Sequence, residues 1–226
     1  MIFNDTYLPE GYKQYNRFLR SASSISDLFS ESETPYIHSR IVEYSFCLAF
    51  NAKNLSRSDN AFDATKIIDG LNYGVGLKTF CANINNNGIS ESKNEKIAEF
   101  NTDFQKLNNL SVLETTLKIV ELRNARIQSA ILEYGIDKSI YHCVIRFHEK
   151  YKPQNKYILL KEYDYDPIVP SDVVCTDKNF NPLSLDEQLN ISSDNLFFTD
   201  GKNYYTFNRS KSTLYRRFDT TLEGGI

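Results

Sequence analysis

The sequence predicts an α/β fold, a central mixed β-sheet flanked by helices, from three observations. An apolar run at 39–50 has helical character, a hairpin signal surrounds Asp69-Gly70, and a long amphipathic helix pattern between Ser111 and Gly135 leads into further β-rich segments. Helices and strands alternating in this order place strands side by side with helices on their faces. With 226 residues, 41% hydrophobic and 24% charged, the chain is long enough for one α/β domain with a sizeable core. A single domain over 1–226 is expected, with an arm at 1–35, a core at 36–165 and a separate surface segment at 196–218.

Taken in order, residues 1–35 are polar, with SASSISDLFSESET before Pro35, and read as a loosely packed arm or a short helix pair. SRIVEYSFCLAF, Ser39 to Phe50, reads as a buried helix whose only charge from Ile41 onward is Glu43. Asn60 to Phe80 reads as a hairpin, since Asp-Gly readily supplies the two positive φ angles of a type I′ turn. A helix is expected at 92–107, where Ile97, Phe100, Phe104 and Leu107 recur at helical spacing. Ser111 and Glu114 form a capping box for the next helix, and Gly135 ends it. Ser139 to Phe147 and Tyr157 to Glu162 read as strands, and Asp200-Gly201 joins LFFT to KNYYTF as a second hairpin.

Composition narrows the function classes. Lys plus Arg number 26 against 29 Asp plus Glu, a net charge of −3 that excludes a bulk-cationic nucleic-acid coat. The basic charge is local: residues 161–200 carry nine acids and two lysines, whereas 201–218 carry five cations and no acid. The four cysteines show no Cys-x-x-Cys spacing and read as reduced core thiols. Three histidines, His38, His142 and His148, are too few for a histidine-rich metal centre, and His38 and His142 are assigned to structure or surface. No leader-like or membrane-spanning apolar run is evident, and a cytoplasmic location with no membrane partner is expected.

The hairpin carries the chemistry. With Asp69 and Gly70 as the loop, paired positions sum to 139, so Ile68 faces Leu71 and Asp63 faces Gly76. Asp63, Thr65, Gly74, Gly76 and Lys78 then share one face, while Phe62, Ala64, Tyr73, Val75 and Leu77 share the other. Two glycines between a carboxylate and an ammonium mark close approach of a ligand or another backbone, with open space between the two charges. An Asp supplies a hard oxygen ligand for Mg2+, and a nearby lysine orients water and offsets phosphate charge. The Leu77 carbonyl and Glu43 are candidate additional ligands.

FDATKIIDGLNYGVGLKTF, Phe62 to Phe80, resembles the catalytic hairpin of the PD-(D/E)XK nucleases, and the helix bearing Glu43 resembles their acidic first helix. Asp63 matches the motif's Asp and Lys78 its Lys; Gly76 stands where the motif has an acid, and Glu43 is the substitute carboxylate. The chain as a whole is similar to Type II restriction endonucleases. That resemblance implies a Mg2+-dependent homodimer cutting double-stranded DNA at a short, A/T-rich palindrome, with Glu43, Asp63 and Lys78 catalytic and Asp63, Glu43 and Leu77 at the metal. Asn208, Arg209, Ser210, Lys211, Ser212 and Thr213 follow the second hairpin and are expected to grip DNA, because such side chains contact phosphates and base edges. The rival readings are a non-catalytic DNA-binding module on a nuclease fold and a repair or transposition nuclease. His148-Glu149-Lys150 matches the His-x-Lys of phospholipase-D-type nucleases, but the context of that family is missing downstream.

Overall fold

In a computed structural model, all residues are described except 27, 29–31, 33, 57–59, 86–89, 101–109, 149, 151–157, 190–192 and 222–226. The described residues form a mixed α/β structure with two five-stranded sheets, a two-stranded ladder and four α-helices. The chain, expected as one domain, divides into two compact units: 1–91 with 127–166 and 219–226, and 92–126 with 167–218. No helix among the described residues is long and apolar enough to cross a membrane.

The first unit begins with α1 (Pro9–Ser26) and α2 (Ser39–Phe50). The α2 bounds are those read from the sequence. The His38 ring accepts from the Arg40 amide at 3.1 Å to cap its start, and Asn51, in the left-handed region at φ 48°, ends it. The expected loose arm is instead part of the core. Phe3, Tyr15 and Leu19 are fully buried and pack with Phe46 and Phe50: Tyr15 and Leu19, four apart, share one stripe of α1, and Phe3 joins them from the segment before it.

The strands are β1 (Lys53–Asn54), β2 (Ala64–Ile68), β3 (Leu71–Cys81), the ladder β4 (Asn83–Ile84) with β5 (Ser90–Glu91), then β7 (Lys138–Arg146) and β8 (Ile158–Asp164), with β6 in the second unit. The sheet order is β1-β2-β3-β7-β8; β3 and β7 run parallel and the other neighbours antiparallel, a mixed sheet. The hairpin register is as expected from Ile68↔Leu71 to Ala64↔Val75. Asp69 at φ 51° and Gly70 at φ 81° supply the two positive angles of its turn. One face, with Ala64, Val75, Leu77, Ile140 and Val144, packs against the two helices.

The second unit contains β6 (Lys93–Glu99), the first part of α3 (Val112–Tyr134), β9 (Val174–Thr176), α4 (Leu185–Leu189), β10 (Asn195–Thr199), β11 (Tyr204–Asn208) and β12 (Thr213–Phe218). Its sheet is antiparallel in the order β6-β12-β11-β10-β9, and Leu196, Phe198, Tyr205, Phe207 and Leu214 bury one face with Ile119 and Val120 of α3. The helix expected at 92–107 is therefore corrected over 93–99 to a strand; Phe104 and Leu107 lie outside the described residues. Ile97 and Phe100, three apart, have helical spacing, yet both pack on this core across a register shift in the ladder, and pairing with β12, distant in sequence, decides the outcome. The capping box forms as read: the Glu114 carboxylate accepts from Ser111 N at 2.8 Å, while Glu114 N donates to Ser111 Oγ at 3.2 Å. Gly135, at φ 61°, follows the helix. All four cysteines are free thiols, three of them buried.

Candidate active site

Asp63 lies one residue before β2, where the ladder changes. Its amide donates to Val75 O at 2.9 Å although Ala64 is the register partner of Val75, so two consecutive residues oppose one, as in a β-bulge. The Leu77 amide then donates to Asp63 Oδ2 at 2.7 Å. A strand amide points within the sheet plane, so this carboxylate sits at the end of β2 as a side-chain continuation of the ladder. The Leu77 carbonyl shares that side of β3 with its amide.

Lys78 follows Leu77 on β3 and projects to the Gly76 face, its Nζ 6.0 Å from the Tyr141 ring centroid. Glu43 is half-buried on α2, one turn before Cys47. Burial first, then the Asp63 and Glu43 carboxylates, push the Cys47 thiol up to about 11. One thiol thus lies within electrostatic reach of both acids, which come from different elements.

The expected open space beside the glycines is filled. A Cβ on Gly76 would meet Tyr165 Cε1 at 2.8 Å and Tyr141 Cδ1 at 3.0 Å; one on Gly74 would meet the Phe62 ring at 2.9 Å. Tyr141 and Tyr165 stack with centroids 3.8 Å apart, and the Tyr165 hydroxyl donates to Ala61 O at 2.8 Å. Phe62 is corrected from the Ala64 face to the Gly74 face, because the irregular backbone at Asp63 breaks strict alternation. The glycines make room for aromatic rings from within the fold. Nothing in the local hairpin pattern identifies Tyr165, 89 positions beyond Gly76 in sequence, as the ring that covers it.

Among the described residues no group of three or more His, Cys, Asp or Glu gathers in a way that could hold a metal ion. The donors at this corner are the Asp63 carboxylate and the Leu77 carbonyl, while Glu43 stands on α2.

The segment 208–213, in the second unit, is a tight turn organised by Asp194, an acid its own composition does not reveal. Asn208 Nδ2 donates to Asp194 Oδ2 at 2.9 Å, Ser210 N donates to Asp194 Oδ1 at 2.9 Å, and Ser210 Oγ donates to Asp194 Oδ2 at 2.7 Å. Asn208 Oδ1 accepts from Lys211 N at 2.8 Å; Ser212 adopts φ 47°; Thr213 is buried and its hydroxyl donates to Lys211 O at 2.8 Å. Bonds from Ser210, then from Asn208, with the Arg209 cation nearby, hold the Asp194 carboxyl below its ordinary range against the opposing effect of burial. The polar groups of Asn208, Ser210 and Thr213 thus build the turn, while Lys211 is exposed. His148 Nδ1 accepts from the Lys150 amide at 3.1 Å, a local contact, and Glu149 lies outside the described residues. Comparison of the chain with protein-family models, curated proteins and solved structures finds no match.

Proposed function

We propose that the chain is a Mg2+-dependent endonuclease hydrolysing phosphodiester bonds of double-stranded DNA, in the manner of a Type II restriction endonuclease. On this reading it acts as a homodimer, so that two sites address the two strands of a short, A/T-rich palindrome. The observation that supports this reading is that the Asp63 carboxylate accepts from the amide of Leu77 at 2.7 Å, the residue that precedes Lys78 on β3. Asp63, Glu43 and the Leu77 carbonyl would hold Mg2+, which when bound supplies charge stabilisation at the phosphate. Lys78 offsets phosphate charge and orients the attacking water. Arg209 and Lys211 contribute phosphate contacts.

One observation favours a second reading, a DNA-binding module without chemistry: Tyr165 and Tyr141 crowd the position where the motif's second acid would branch from Gly76. Incubation of the chain with Mg2+ and DNA of known sequence separates the two. Discrete fragments with defined ends support the endonuclease, retention in a gel without cutting supports the module, and ends set by DNA structure rather than sequence support a repair or transposition nuclease.

A further inference from the structure

We propose that the face of the second unit's sheet turned away from α3 binds single-stranded DNA by stacking bases on its aromatic side chains. Alternation along β10, β11 and β12 puts Phe197, Tyr204, Tyr215 and Arg217 on this face, opposite the buried Phe198, Tyr205 and Leu214. Phe197, Thr206 and Tyr215 are register neighbours across three strands. The backbones of Phe197 and Tyr215 are therefore about 9–10 Å apart, with the Thr206 side chain between them and its Oγ1 buried. Tyr204 is 42% exposed, Phe197 and Tyr215 are half-buried, and Arg217 is exposed. Such rings would normally be turned inward, yet the inner face already has its own aromatic set.

A fourth ring is carried over the sheet by a dedicated turn. The Asp177 carboxylate accepts from Asn179 N and Asn181 N, each at 2.8 Å, and Phe180 between them adopts φ 66°, an unusual angle for a bulky residue. Its ring lies 4.6 Å from the Tyr204 centroid and 6.1 Å from that of Phe197, with the Arg217 guanidinium 5.5 Å away. Aromatic rings with an exposed planar cation and hydroxyl or amide neighbours provide what a single strand offers to be recognised: π-faces and a phosphate backbone. The register row through Phe197 runs Thr176, Thr206, Tyr215 and Lys96 without a carboxylate, whereas the row through Asn195 ends at Glu99; Arg217 and Lys96 are the cations this face offers a phosphate. A duplex hides its base faces and cannot use the rings. The choice of DNA as the strand rests on the endonuclease reading; the stacking surface does not.

The test is fluorescence anisotropy with the full chain in EDTA, using a labelled mixed-sequence 15-nucleotide DNA and the same sequence as RNA and as duplex DNA. Single-stranded DNA is expected to bind more tightly than the RNA, and Tyr204→Ala or Phe197→Ala to weaken it about 5-fold or more. Tyr204→Phe should retain affinity, and Arg217→Ala should flatten the dependence on salt. The inference is overturned by absent single-strand binding, by RNA bound as tightly, or by a single-strand affinity indifferent to Tyr204 and Phe197; duplex affinity is expected to ignore both substitutions, and a duplex weakened as much as the single strand would also overturn it. A chain that binds in EDTA but never cuts with Mg2+ loses the endonuclease reading alone. A chain that cuts while its binding ignores these rings loses the stacking surface alone.

Discussion

The Leu77 amide donates to the Asp63 carboxylate at 2.7 Å, so this side chain occupies a ladder position that a backbone carbonyl would otherwise fill. The bond gives Asp63 two separable roles. Asp63→Asn keeps an acceptor for Leu77 but removes the charge a cation needs, and is expected to fold normally while cleavage with Mg2+ falls on the order of 100-fold or more. Asp63→Ala removes the acceptor as well and should cost about 1–3 kcal/mol in urea unfolding. Plasmid cleavage measured beside unfolding checks both; an Asn variant cutting at the normal rate would remove Asp63 from the chemistry.

Gly76 and Tyr165 are expected to be energetically coupled. A Cβ at position 76 meets the Tyr165 ring at 2.8 Å, and the ring is itself held by its bond to Ala61 O and its stack on Tyr141. Gly76→Ala should destabilise by about 1–3 kcal/mol through overpacking. In a Tyr165→Ala background the same change should cost distinctly less, as a double-mutant cycle from urea midpoints would register. Additive effects would mean that the ring does not exclude a side chain there.

These two positions mark how far the residues alone could be read. Local signals were sufficient where geometry is local: Asp69-Gly70 fixed the turn, Ser111 and Glu114 the start of α3, and the apolar run the whole of α2. Chemistry that depends on distant partners was not legible. A strand at Lys93–Glu99 exists because β12 pairs with it, and Asn208 builds a turn because Asp194, 14 residues upstream, receives its amide. The glycines correctly signalled close approach, but the approaching group is a tyrosine of the same chain.

Glu162 should make the first unit acid-sensitive. Its buried carboxylate would be raised by desolvation, but bonds from His142 Nδ1 at 3.4 Å, Ile2 N at 2.5 Å and Phe3 N at 2.9 Å hold it below the ordinary carboxylate range. A group depressed in the folded state contributes fully above its unfolded value, about 4.3, and loses that contribution as pH falls through the lower folded value. Glu162→Gln should therefore destabilise by about 1–3 kcal/mol at pH 7, with the gap to the native chain closing as pH falls below about 4.3. Chemical unfolding across that range checks it, and a pH-independent gap would contradict the assigned protonation.

Neighbouring residues of the 208–213 turn should respond differently to substitution. Asn208 Nδ2 bonds to Asp194 Oδ2 and Asn195 Oδ1, both at 2.9 Å, and its own Oδ1 accepts from Ser210 Oγ at 3.0 Å and Lys211 N at 2.8 Å. Asn208→Ala is accordingly expected to lower the urea midpoint, with any loss of DNA affinity following the loss of structure. The exposed Lys211 can meet a phosphate without disturbing the turn. Lys211→Ala should leave the midpoint unchanged, weaken DNA binding about equally across sequences and reduce the salt slope by about one. Titrations at several salt concentrations, paired with unfolding of each variant, separate the two effects. An unchanged slope for Lys211→Ala would remove it from the DNA contact, and an unchanged midpoint for Asn208→Ala would show that its four hydrogen bonds are dispensable to the turn.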